Sequence, residues 1–207
     1  MAYKRRNKDP NQIRMSFEDE VPNVELELES LLAQMEVDCY TITSGFENDC
    51  LILKKLEELR IEHEKYRDND KHRSEYGLEY RKGKFRTDVK DEASSDFNKE
   101  VSILEGIQKK KERIEKRKLI LENLHDGIFW PGDIKSVDHA LDKLNALEEQ
   151  LQTLINDCDL VIKNRDLIRP IGSNEKELED SMVYLQIILK RKKYFNLLKT
   201  KYKGKGR

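Results

Sequence analysis

From Leu28 onward, apolar side chains recur in alternating steps of four and three, at Leu28, Leu32, Met35, Cys39, Ile42 and Phe46, and again at Leu53 and Leu56. That spacing is a heptad seam, and it predicts a long helix over 22–68 carrying a narrow apolar stripe. Pro22 and Asn23 mark its start, and Glu25 and Glu27 in the first turn suit the helix dipole. Thr41, Thr43, Ser44 and Gly45 are poor helix formers, Gly costing about 1 kcal/mol relative to Ala, so Gly45 is where a kink would fall.

The periodicity stops over 69–94, where Gly77, Gly83, aromatic residues and basic residues predict a linker. A cap at Ser95 or Asp96 opens a second seam through Ile103, Ile107, Ile114, Leu121 and Leu124, with Lys110 and Arg117 in the intervening heptad positions. A reversal is expected near 127–133, at the segment Gly127-Ile128-Phe129-Trp130-Pro131-Gly132. The next helix follows Ile134, Val137, Leu141, Leu144, Leu151, Ile155, Cys158 and Ile162, with Glu148 as its one interruption. Arg169-Pro170-Ile171-Gly172 stops it, so a second reversal falls near 170–174. Asn174 and Glu177 have capping-box spacing, and Leu178, Met182, Leu185, Leu189 and Phe195 define the last helix.

These elements predict an all-α, elongated coiled-coil or helical-hairpin fold of about four long helices. An N-terminal arm covers 1–21, the three-helix region runs over 95–203, and a basic end covers 204–207. Charged residues make up 39% of 207 positions, against about a quarter in ordinary globular chains. Little core is therefore available per residue. The helix from Asp133 to Arg169 alone would span roughly 54 Å at ~1.5 Å per residue, longer than the ~43 Å diameter of a compact chain of this size. Narrow seams on long rods predict that partner helices complete the burial, from different subunits or from copies of this chain, with different subunits favoured. The residues assigned to that role are Leu28, Leu32, Met35, Ile42, Phe46, Leu53 and Leu56 in the first helix. Ile107, Ile114 and Leu121 follow in the second, Leu141, Leu144, Leu151, Ile155 and Ile162 in the third, and Leu185 and Leu189 in the last. Phe129 and Trp130, large aromatics at a reversal, are read as a plug for the hairpin, with a partner anchor as the sharper alternative.

Charge changes this picture through its distribution, because the net charge is only −1. Residues 18–64 hold 14 acids and three bases, whereas 190–207 hold nine bases and no acid. Lys190, Arg191, Lys192, Lys193, Lys199, Lys201, Lys203, Lys205 and Arg207 are thus candidates for phosphate contact, with an import signal or plain solvation as competing readings.

Chemistry adds little. Gly77 and Gly83-Lys84 mimic a phosphate loop, but five residues separate the glycines and Phe85 stands where Ser or Thr is required. Cys39, Cys50, Cys158 and the four histidines form no metal-binding pair. No cofactor or catalytic residue is implied. No apolar run approaches the ~18 residues of a membrane span, and three cysteines without an export signal suggest a reducing compartment, cytoplasm or nucleus. The expected function is that of a non-enzymatic structural or adaptor subunit of a multi-protein assembly. The alternatives are a nucleic-acid- or chromatin-associated factor and a membrane-trafficking tether.

Overall fold

A computed structural model describes residues 24–76, 80–81, 84–85, 88–126, 134–163 and 174–204. Four helices account for nearly all of them: α1 (Val24–Tyr76), α2 (Asp88–Asp126), α3 (Ile134–Lys163) and α4 (Asn174–Gly204). The only strands among the described residues are β1 (Tyr80–Arg81) and β2 (Lys84–Phe85), paired antiparallel with Tyr80 opposite Phe85 and Arg81 opposite Lys84. The fold is all-α and elongated. The arm over 1–21, Phe129, Trp130, Lys205 and Arg207 lie outside the described residues.

Each helix packs against its neighbours in chain order, α1 on α2, α2 on α3 and α3 on α4, and α4 closes the ring on α1. Cross-helix pairs fix the directions. His63 meets Glu100 and Asp49 meets Arg117, so α1 and α2 run antiparallel. Glu148 meets Lys192 and Asp138 meets Lys199, so α3 and α4 do too. The lengths are unequal: α1 has 53 residues and α4 has 31, roughly 80 Å against 46 Å at ~1.5 Å per residue. Since the start of α4 lies against Lys110 of α2, the four-helix bundle ends there. Beyond it α1 and α2 continue as a two-helix arm, with β1 and β2 in the connection at its tip.

The core divides the same way. In the bundle, Leu28, Met35 and Ile42 of α1 pack with Leu121 and Leu124 of α2, Leu144 and Leu151 of α3 and Ile188 and Phe195 of α4. In the arm, Leu56, Ile107 and Ile114 form a second cluster, flanked by Ile52, Leu53, Leu59 and Ile103. Burial of each such side chain contributes about 1.5–3 kcal/mol.

Several expectations change here. The seams are closed by this chain's own helices. Leu28, Met35, Ile42, Leu56, Ile107, Ile114, Leu121, Leu141, Leu144 and Leu151 are buried with no second chain present. Leu32, Phe46, Leu53, Ile155, Ile162 and Leu185 are half-buried, Phe46 beneath the Lys118 ammonium at 5.1 Å. The rods meet lengthwise, which removes the need for partner chains to cover these stripes. Leu189 and Met182 are exposed instead, at 39% and 52%. The linker expected over 69–94 is also shorter. Asn69 to Tyr76 extend α1, and α2 begins at Asp88 rather than at Ser95 or Asp96. Apolar periodicity fades there because the far end of the arm has little core to face. α1 is unbroken through Gly45.

Candidate docking groove and buried ion layers

Where bundle meets arm, polar residues occupy the positions that apolar ones hold elsewhere. Arg117 of α2 sits one heptad step from Ile114 and Leu121 and is 2% exposed. Its Nε donates to Asp49 Oδ2 at 3.0 Å and its Nη2 to Asp49 Oδ1. Its Nη1 crosses to the Glu177 carbonyl of α4 at 3.1 Å. One turn earlier, Arg113 Nε donates to Glu177 Oε1 at 2.9 Å, and Lys110 Nζ lies 3.7 Å from Oε2 and 3.4 Å from Asn174 Oδ1. Ser181 Oγ also donates to the Glu177 carbonyl, at 2.7 Å. Glu177 thus spends its carboxylate between helices, on Arg113 and Lys110. The layer ties α1, α2 and α4 together at one height.

Burial opposes charge throughout this layer; the Glu177 and Asp49 carboxylates outweigh it at Arg113 and Arg117, but it prevails at Asp49 and Lys110. It pushes the Asp49 carboxyl up, against the pull of Arg117, and draws the Lys110 ammonium down. The Cys158 thiol, whose Sγ faces the Asn174 carbonyl at 3.7 Å, is pushed up by burial to about 12. Tyr184 is raised to about 12 by the same cause. A thiol held so firmly protonated is a poor nucleophile.

A second buried cation lies about four turns further along α4 from Glu177. Arg191 is 2% exposed and donates through Nη1 to the Leu124 carbonyl at 2.5 Å. Its Nε and Nη2 are buried without a hydrogen-bond partner. Burial pulls its guanidinium down, with Cys39 and Asp38 of α1 acting in the opposite direction.

The basic C-terminal helix is largely neutralised within the chain. Lys190 pairs with Asp38 at 2.6 Å, Lys193 with Glu27 at 2.6 Å and Lys201 with Glu25 at 3.0 Å, all on α1. Lys192 pairs with Glu148, and Lys199 with Asp138 at 2.5 Å, both on α3. With Arg191 in the core, six of the nine candidate phosphate contacts are engaged by this chain. Lys203 is exposed. Three of these bases, Lys190, Lys193 and Lys201, thus pair with the acidic segment read from the sequence.

An open groove remains between α2 and α3, which touch less than any other neighbouring pair. It encloses about 450 Å³. Leu119, Asn123 and Leu124 form the α2 wall, Ala140, Lys143, Leu144 and Leu147 stand among those on the α3 side, and Arg191 and Phe195 of α4 complete the lining. Leu119 is 54% exposed at the rim. The lining carries two bases and no acid.

Sequence reasoning placed Lys110, Arg117 and Leu144, and missed Asp49, Ser181, Tyr184, Leu119 and Leu147. The signal for Asp49 is its distance of seven residues from both Ile42 and Leu56, a heptad position held by an acid. Among the described residues no group of His, Cys, Asp and Glu is placed to hold a metal ion, and no helix is long and apolar enough to cross a membrane. Compared with protein families, curated proteins and solved structures, the chain matches none.

Proposed function

We propose that this chain is a non-enzymatic adaptor subunit that receives an amphipathic helix of another protein in the groove between α2 and α3. The observation that carries this reading is the groove itself, an apolar trough left where two adjacent helices of the bundle barely touch. Small side chains at Ala140 and Ala146 leave room for knobs from an incoming helix. Leu119 offers an apolar edge, while Lys143 and the buried Arg191 set the sign of the field. The fitting occupant presents Leu- or Phe-type side chains to the trough and an Asp or Glu toward Lys143 and Arg191. Helix-in-groove recognition of this kind needs no catalytic group. The nucleic-acid reading is weaker, since most of the tail's bases already face acids of α1 and α3.

The test is a photo-crosslinking residue at position 119 in the full chain, expressed in its native cells, with the attached peptide sequenced. A single protein whose linked segment has helical apolar periodicity and an acid on the same face supports the reading. Its capture must be lost in Lys143→Glu and retained in Lys116→Glu, both with unchanged far-UV dichroism. Nucleic acid, a non-helical segment, or no specific adduct would overturn it.

A further inference from the structure

Arg117 and Arg191 are equally buried, at 2% exposed each, but they are not equally served. Arg117 presents Nε and Nη2 side-on to the two oxygens of Asp49. Arg191 donates only through Nη1, to the Leu124 carbonyl. Its Nε and Nη2, the same side-on pair, have no acceptor. The two N–H groups of that pair are parallel, in the fixed spacing that matches two oxygens carried on one atom. Buried donors left unmatched are destabilising, and an oxyanion is the group this fork fits.

Helix α1 supplies what faces it. Asp38 meets Lys190 at 2.6 Å and Gly45 meets Tyr184, so α1 and α4 run antiparallel here. The next residues along each, Cys39 and Arg191, fall at one height. Of the side chains on α1, Cys39 and Asp38 act on the Arg191 guanidinium. Asp38 is already engaged, with Oδ1 at 2.7 Å and Oδ2 at 2.6 Å from Lys190 Nζ. Cys39 Sγ donates its own proton to the Met35 carbonyl at 3.2 Å, and thiol sulfur is a weak acceptor, so it leaves Nε and Nη2 unmatched. Cys39 is half-buried, whereas Cys158 is buried. A small reagent can therefore reach the sulfur that stands before the fork.

From this juxtaposition we infer that Cys39 is a site of oxidative modification, at which hydrogen peroxide converts the thiol to a sulfinate held side-on by Nε and Nη2 of Arg191. In the first step the sulfur attacks one peroxide oxygen, an S–O bond forms and the O–O bond breaks. The departing hydroxide takes the thiol proton and leaves as water, and the product is a sulfenic acid. A second peroxide repeats the transfer to give the sulfinic acid, each step oxidising sulfur by two electrons and reducing one peroxide to water. The sulfinic acid ionises, and its anion carries two oxygens on one sulfur, the counterpart of the Asp49 carboxylate opposite Arg117. Modification thus ties α1 to α4 through two charge-assisted hydrogen bonds. The inference stands on these two helices and holds whatever the α2–α3 groove receives.

Peroxide treatment of the purified full chain in a Cys50→Ser background, followed by peptide mapping, tests the modification. A gain of two oxygens is expected at Cys39 and none at Cys158. The oxidised chain should melt at least about 3 °C above the reduced one, the effect of a charged hydrogen-bonded pair in a chain of this size. Cys39→Asp sets two carboxylate oxygens on the same carbon and should melt above the neutral Cys39→Asn by a similar margin. Arg191→Met should abolish that difference. If Arg191→Met does not fold, the Nε–H proton resonance of Arg191 in the parent chain gives the same readout, since it should move downfield on oxidation. Absence of the sulfinate at Cys39, an oxidised chain no more stable than the reduced one, a Cys39→Asp advantage that survives Arg191→Met, or an unmoved Nε–H resonance would each overturn the inference.

Discussion

Arg117 on α2 and Asp49 on α1 face each other side-on, two guanidinium nitrogens against two carboxylate oxygens, with their side chains 2% and 0% exposed. Taking two charges out of water costs several kcal/mol per ion, and only good geometry with further hydrogen bonds restores it. Here those bonds include the Glu177 carbonyl. Removing one partner alone strands the other. Asp49→Ala is expected to lose about 3–5 kcal/mol in urea denaturation. The paired change Asp49→Leu with Arg117→Met should stay within about 1 kcal/mol of the parent, because Ser181 still satisfies the Glu177 carbonyl. A double variant as unstable as the single one would refute this account.

The same layer explains which parts of the fold were legible in the sequence. α2 was phased correctly, since its apolar residues outnumber Lys110 and Arg117 and fix the seam around them. α4 was not. Asn174, Glu177, Ser181 and Arg191 occupy its inward positions, so the apolar count pointed to Met182 and Leu189, which face outward. In α3, Glu148 looked like a gap only because the core steps through Leu147 beside it, leaving Glu148 to pair with Lys192. In α1, the inward line runs through Leu31, beside the Leu32 that the four-three spacing selects, and then through Asp38 and Gly45, where a hydrophobic pattern has nothing to register. Helix existence is a local property and was readable. Closure of the seams within one chain depends on long-range pairing, which no local pattern encodes. The groove is a shortfall of contact between α2 and α3, and for the same reason no residue announces it.

Gly45 reverses its sequence-level meaning. As an exposed helical glycine it would gain about 1 kcal/mol on replacement by Ala. In the bundle, a Cβ at this position would lie 2.8 Å from Tyr184 Cζ and closer still to its hydroxyl oxygen. Tyr184 is buried against α1 and has little freedom to retreat. Gly45→Ala is therefore expected to cost about 1–3 kcal/mol, the range of overpacking, and Tyr184→Leu should restore part of that loss in the same background. A stabilised Gly45→Ala variant would show that the two helices do not approach as closely as described.

The pairing of the basic helix predicts how the chain treats polyanions. Glu25, Glu27 and Asp138 hold Lys201, Lys193 and Lys199 at the surface. Such exposed pairs contribute only about 0–1 kcal/mol each, so Glu25→Gln, Glu27→Gln and Asp138→Asn together should leave the fold intact. They should release three bases, and the triple variant is expected to elute from heparin at higher salt than the parent, with a steeper dependence of affinity on ionic strength. Identical elution would mean that the lysines are not restrained by these acids.

Cys158 and Tyr184 give the bundle a directional response to alkali. Burial raises the Cys158 thiol from 9.0 to about 12 and the Tyr184 hydroxyl from 10.0 to about 12. A group with a raised folded value holds its proton longer in the folded state than in the unfolded one. Its contribution is complete below the unfolded value and is lost as pH climbs toward the folded one. The urea midpoint is thus expected to fall between pH 9 and 12, and to fall less steeply in Cys158→Ala with Tyr184→Phe. The same protonation protects the thiol from disulfide reagents: at pH 8 Cys158 should remain unmodified in the native chain and react once urea unfolds it. Rapid native-state modification at Cys158, located by peptide mapping, would mean that α3 and the start of α4 do not seal it.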